Sequence, residues 1–334
     1  MREFPDHAPQ SALRLSNLTR RFGDCVAVDN ISFEVEMGEI FGMVGPTGSG
    51  KTTTARMLST LLSPSHGEAT VLGFDLRRQA HCIRPRIGVI FQEPALDESL
   101  TVEENLLLHL AMRGVRRAER RARIDEVLTR VGLDGDRERR GATLSWGMKR
   151  RLELSRACSS HPQLLLLDEP THGLDAPMRR RVVDVLDTFR HQPDHAVFVC
   201  THDPDLIAAC DRVALLRDGH LLTVASAATF RRRGAERRVT LMAAPPEAEN
   251  VDAIRLCLEG MKLHPTILDG KAAISGPCFT GWLPRALELL GDRVDGVMAS
   301  PPSFSDVIDE LLQEGGSFAD AGRTPDASGE FSAE

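Results

Sequence analysis

Short, wholly apolar runs punctuate this chain, and between them apolar residues recur every three or four positions. Phe41–Val44, Ile87–Phe91, Leu164–Leu167, Ala196–Cys200 and Val213–Leu216 carry almost no polar side chain. Runs of that length predict strands buried on both faces. Helical spacing predicts a helix from about Lys51 to Leu62 and an almost wholly helical block between Glu93 and His161. Strands separated by helices imply an α/β core with a covered parallel sheet. Further β-rich runs lie at Leu13–Phe22, Ser32–Glu36 and Ala69–Leu72.

A composition break at Phe230-Arg-Arg-Arg-Gly234 sets a domain boundary, giving a main domain over 12–230 with a helical subdomain at about 93–161. The pattern beyond it predicts strand 237–243, helix 251–260, strands 262–268 and 271–275, helix 282–291 and strand 293–298. That order is the split βαβ plan of a small α+β domain, placed at 236–314. A last helix is expected at 303–313, and residues 1–11 and 315–334 are expected to be disordered, the tail being rich in Gly, Ser, Asp and Ala.

Composition narrows the class. With 42% hydrophobic and 27% charged residues the chain reads as a soluble globular protein. A formal net charge of -7 argues against a dedicated nucleic-acid binder, and the Arg clusters at 116–123, 137–140, 179–181 and 231–238 read first as solvated helix faces. Contact of those clusters with anionic headgroups is the second reading. The seven cysteines are scattered without a CxxC pair, which suits free thiols in a reducing compartment. The first ten residues do not resemble a secretory leader, and no run approaches the roughly 20 apolar residues that cross a bilayer.

The strongest chemical motif is Gly45-Pro46-Thr47-Gly48-Ser49-Gly50-Lys51-Thr52, with Thr53 following. It matches GxxxxGK[ST], after a strand and before a helix, where backbone N–H groups cradle a phosphate. Lys51 is placed to reach the β- and γ-phosphates, and the Thr52 hydroxyl to ligate Mg²⁺. The strand Leu164–Leu167 ends in Asp168-Glu169, where Asp168 suits metal orientation and Glu169 suits a general base. His202 follows the strand Ala196–Cys200 and is expected near the γ-phosphate, whereas the other ten histidines read as surface or loop residues.

Taken in order, these motifs resemble the ATP-binding cassette (ABC) ATPases over about residues 12–225: the P-loop, Gln92, Leu144-Ser145-Trp146-Gly147, Asp168-Glu169, Gly173-Leu174-Asp175 and His202. The resemblance implies a P-loop NTPase core with an antiparallel β subdomain, an inserted helical subdomain and a small C-terminal domain. It implies that Phe22 stacks on adenine, that Gln92 contacts metal and attacking water, and that Ser145, Gly147 and Asp175 serve ATP across a dimer. ATP and Mg²⁺ are the implied cofactors. The implied partners are a second ATPase copy, as homodimer or heterodimer, and separately encoded transmembrane permease subunits. No nucleic acid is expected, and the implied place is the cytoplasmic face of the membrane.

Met148-Lys-Arg-Arg151, Leu100–Leu106 and Ser300–Val307 resemble the daunorubicin-resistance branch, which exports drugs and lipids. A non-transport cassette acting on ribosomes or nucleic acid is the alternative, as is a weakly hydrolysing regulatory subunit. Trp146 stands where the family usually has glycine. Packing on the opposing subunit, a neutral sideways position and obstruction of closure all remain open for its ring.

Overall fold

The computed structural model describes residues 11–300 except 94, 191, 234–237, 244–246, 262, 264, 269–270 and 276–280. The expected helix at 303–313 and both expected disordered ends lie outside the described residues, apart from position 11.

The chain opens with β1 (Ser11–Phe22) and β2 (Cys25–Glu36), then β3 (Ile40–Val44) and α1 (Lys51–Leu58). Strand β2 begins seven residues before the expected Ser32. Asn17 (φ 51°) and Asn30 (φ 53°) sit in the left-handed region beside shifts of the β1–β2 register. These irregularities break the period-two alternation that marks a strand in sequence. Helix α1 stops before Leu62 because Thr60 adopts φ 65°.

Next come β4 (His66–Val71), β5 (Phe74–Asp75), α2 (Ala80–Ile83) and β6 (Ile87–Ile90). The helical block contains α3 (Val102–Met112), α4 (Arg117–Val131) and α5 (Trp146–Ser159). It is less wholly helical than expected, since 132–143 is built of turns and two short 3₁₀ segments. Thr101 and Glu104 form a reciprocal capping box at the start of α3. Arginines of the block pair with local carboxylates, for example Arg137 with Asp125 at 2.6 Å and Arg130 with Glu126 at 2.7 Å.

The core continues through β7 (Leu164–Asp168), α6 (Ala176–Asp187), β8 (Ala196–Cys200), α7 (Pro204–Ala208), β9 (Arg212–Arg217), β10 (His220–Ser226) and α8 (Ala227–Arg233). Strands β10-β9-β3-β8-β7-β6 form one sheet, parallel throughout except for the β10 edge. Its side chains alternate between two cores. Leu165, Leu167, Val197 and Val199 face the helical block, while Leu164, Leu166 and Phe198 face the antiparallel sheet β2-β1-β4-β5. Phe33, Phe41 and Phe198 stack across that second interface, with centroids 5.2–6.1 Å apart.

The last elements are β11 (Arg238–Ala243), α9 (Ala248–Gly260), β12 (Thr266–Leu268), β13 (Lys271–Ser275), α10 (Leu283–Leu290) and β14 (Val294–Ser300). They form an antiparallel sheet of order β12-β13-β11-β14, and α9 and α10 close a small core with it around Leu241, Ile254, Leu258 and Ala286. No helix among the described residues is long and apolar enough to cross a membrane.

Candidate functional site: a phosphate cleft at the sheet's carboxyl edge

Parallel strands put their C-terminal ends at one edge, and ligands of such sheets bind there. Met43 on β3 stands opposite Cys200 on β8, and Cys200 opposite Asp168 on β7. The loop after β3, the Asp168-Glu169 pair and His202 are therefore brought to one edge by register alone. The loop, Glu169 and His202 line a cleft of about 260 Å³ there.

The loop 45–50 turns into α1 at Gly50, whose φ of 104° is open to glycine. A Cβ there would lie 2.5 Å from the Ala27 carbonyl oxygen, so the close approach also excludes a side chain. Lys51, 8% exposed, donates from Nζ to the carbonyl oxygens of Gly45 at 2.6 Å and Pro46 at 2.9 Å. Its cation is thus held over the loop beside the helix start, where an anion is favoured. Ser49 is buried behind the loop.

Glu169 lies at φ 49° and its N–H donates to the Cys200 carbonyl at 2.8 Å. That backbone turn aims its carboxylate back across the cleft, where Oε2 stands 2.9 Å from His202 Nδ1. Asp168 is 1% exposed, and apart from the adjacent Thr52 hydroxyl no group partners its carboxylate oxygens. Burial holds its carboxyl above the ordinary value, opposed by the adjacent Thr52 hydroxyl. A buried carboxylate whose one neighbouring partner is a hydroxyl has the donor set of a hard-cation site. Among the described residues no group of three His, Cys, Asp or Glu side chains is arranged to hold a metal ion by itself, so further ligands would come from phosphate and water.

Of the expected site residues, Thr47, Gly48, Gly50, Lys51, Thr52, Thr53, Gln92, Glu169 and His202 line this one cleft. Gly45, Pro46, Ser49, Asp168, Ser145, Gly147, Asp175 and Phe22 are not among its lining residues. Ser145 caps α5 by accepting from Met148 N at 3.3 Å, and Asp175 caps α6 by accepting from Met178 N at 2.9 Å. His172, exposed in a turn as expected of a loop residue, also lines the cleft beside Glu169 and His202, whereas His109, read the same way, lies on α3 with its Nε2 buried. Sequence reasoning also gave no site role to Arg150. Fully buried, it donates to the carbonyl oxygens of Asp168 at 3.0 Å and Glu169 at 2.7 Å from behind the cleft.

Phe22 is 47% exposed at the end of β1, with the Arg20 guanidinium 4.5 Å over one ring face. If the other face stacks on adenine, Phe22→Ala raises KM for ATP about 2- to 10-fold with kcat unchanged. Steady-state kinetics checks this, and an unaltered KM removes Phe22 from the site.

Comparison with known proteins agrees with this geometry. Residues 28–172 match the family model described as ABC transporter. The spermidine/putrescine import ATP-binding protein of Rubrobacter xylanophilus is 37% identical over 220 residues, 66% of this chain and 58% of the relative. The Nod factor export ATP-binding protein I of Paraburkholderia xenovorans is 35% identical over 211 residues, 63% of this chain and 69% of the relative. The chain spans 58–64% of the length of the first four curated relatives it matches. Among solved structures, a dimeric post-hydrolysis state of the ATP-binding cassette MJ0796, bound to ADP and Pi, superposes with a TM-score of 0.60 at 27% identity. That match covers 64% of this chain and 98% of the cassette. With the phosphate loop, the carboxylate pair and the histidine converging at one sheet edge, the chain belongs to the ABC transporter ATP-binding family and carries its P-loop ATPase fold.

Proposed function

We propose that this chain is the ATP-hydrolysing subunit of a membrane ABC exporter, working as a dimer against separately encoded permease subunits at the cytoplasmic face of the membrane. The observation that carries the hydrolytic reading is the Glu169–His202 pair, 2.9 Å apart in the mouth of the phosphate cleft and facing Lys51. Lys51 and the loop N–H groups bind the β- and γ-phosphates and offset their charge. Glu169 accepts a proton from the attacking water, and His202 holds the Glu169 carboxylate toward that water. Gln92, which lines the same cleft, helps to orient the water. Thr52 and Asp168 would hold a magnesium ion, which supplies charge neutralisation on the phosphates when bound.

Export rests on the resemblance of Met148–Arg151 and Leu100–Leu106 to the drug- and lipid-exporting branch. Relatives named for import and for export both match this chain. The test is ATP-driven transport in membrane vesicles carrying the chain with its permease, using daunorubicin as fluorescent probe. Inside-out vesicles are expected to accumulate the probe on addition of MgATP. Accumulation in right-side-out vesicles instead overturns export, accumulation in neither overturns the drug cargo, and absence of ATP turnover overturns the whole reading.

A further inference from the structure

The reading above leaves Trp146 without a role. It is the first residue of α5, directly after the capping Ser145. Its ring turns onto its own chain: the indole Nε1 donates to the His172 carbonyl oxygen at 3.1 Å. Beneath the ring lies Gly173, at φ +72°, where a Cβ would sit 2.5 Å from Nε1 and 2.8 Å from Cδ1. Glycine is therefore required there twice, by the backbone conformation and by the indole. The next two residues are fixed separately, Leu174 in the hydrophobic core and Asp175 as the cap of α6. The indole adds a second tie at the other end of that segment, where the His172 N–H already closes a turn onto the Glu169 carbonyl, and His172 lines the phosphate cleft.

We propose that Trp146 is a positioning residue that latches the start of α5 to the loop 172–175 within one chain. Nucleotide met by His172 in the cleft is thereby transmitted to Ser145 and Gly147 of the same chain. The contact is made within one chain, and 43% of the residue stays exposed. The proposal rests on the cleft binding ATP, and the experiment separates the two claims.

The chain has two tryptophans, so Trp282→Phe leaves Trp146 as the only emitter. Emission of that protein is followed during MgATP titration at concentrations from below to above dimer formation, with ATP binding measured in parallel by filter retention of labelled nucleotide. The expected result is an emission change that saturates with ATP in the monomer. Adding His172→Ala should abolish the change while ATP still binds, because the acceptor on His172 is backbone and survives the substitution. A change seen only where dimers form, or one indifferent to His172→Ala, overturns the latch. Failure of the parent protein to bind ATP overturns the functional reading instead.

Gly173→Ala should displace the ring and red-shift its emission without nucleotide. Because alanine at that φ risks misfolding, Trp146→Phe provides the second arm by keeping an aromatic ring and removing the N–H donor. There kcat should fall about fivefold with KM for ATP unchanged, the loss expected for one hydrogen bond. Lost thermal stability with unchanged turnover would make Trp146 merely structural and overturn the proposal.

Discussion

Glu169→Gln should leave a protein that binds ATP as well as its parent and hydrolyses it about 10²–10⁴-fold more slowly, the range expected for loss of a positioned general base. The substitution preserves volume at a site only 9% exposed, and its N–H anchor to the Cys200 carbonyl is backbone. The amide can still pair with His202 Nδ1, so the cleft keeps its shape. What it cannot do is take up a proton. Nucleotide Kd and kcat therefore separate, and single-turnover measurements beside equilibrium binding show the split. A kcat within about threefold of the parent would remove Glu169 from the base role, since so small a loss is below any positioned proton acceptor. Weakened binding would instead mean that Glu169 acts on the ground state. Asp168→Asn offers the contrast, because its buried oxygens point to a cation rather than to water. Its defect should be eased by raising the Mg²⁺ concentration, which should do nothing for Glu169→Gln.

The parts of this site that could be read from sequence are those whose chemistry is local. Gly45–Thr52 needs only a strand before it and a helix after it, and both were visible in the apolar pattern. Asp168 and His202 were visible because a parallel sheet puts all its strand ends at one edge, so a polar residue just beyond an apolar run is automatically near the others. His172 follows no strand directly; it enters the cleft because a turn, closed by donation from its own N–H to the Glu169 carbonyl at 3.1 Å, folds the chain back. The contact of Trp146 with Gly173 spans 27 positions and depends on how α5 is tilted, which periodicity does not record. Strand β10 escaped notice because its residues 221–226 are all only partly buried, leaving no alternation to detect. Helix α6 fully buries only Val182, Val185 and Leu186, after a run of three arginines that interrupts its apolar spacing.

Arg150 is the clearest case of a residue whose importance lies wholly in the fold, and it carries the second large effect. In sequence it is one of three consecutive basic residues at the start of an amphipathic helix. In the structure its side chain is 2% exposed, Nε donates to the Pro170 carbonyl at 3.0 Å, and Nη1 meets both Glu153 Oε2 at 3.0 Å and the Phe91 carbonyl. With the bonds to Asp168 and Glu169, one guanidinium thus ties the segment before Gln92 and the residues around the catalytic pair to α5. Glu169 sits in the left-handed region, which costs roughly 1–3 kcal/mol for a residue with a side chain and persists only where the surroundings enforce it.

Arg150→Met should therefore destabilise the chain by about 3–5 kcal/mol, the cost of leaving Glu153 charged and buried with only the longer 3.8 Å contact to Arg156 as ion pair. Arg150→Met combined with Glu153→Leu should recover most of that stability, because the uncompensated charge is gone. Turnover should not recover with it. The carbonyls of Asp168 and Glu169 still lack the guanidinium in the double variant, and the His172 N–H alone remains on Glu169, so its carboxylate is less firmly held toward the cleft. Thermal unfolding and kcat measured on the same two proteins decide the matter. Recovery of both would mean that Arg150 only balances Glu153, whereas recovery of stability alone places the guanidinium behind the geometry of the catalytic carboxylate.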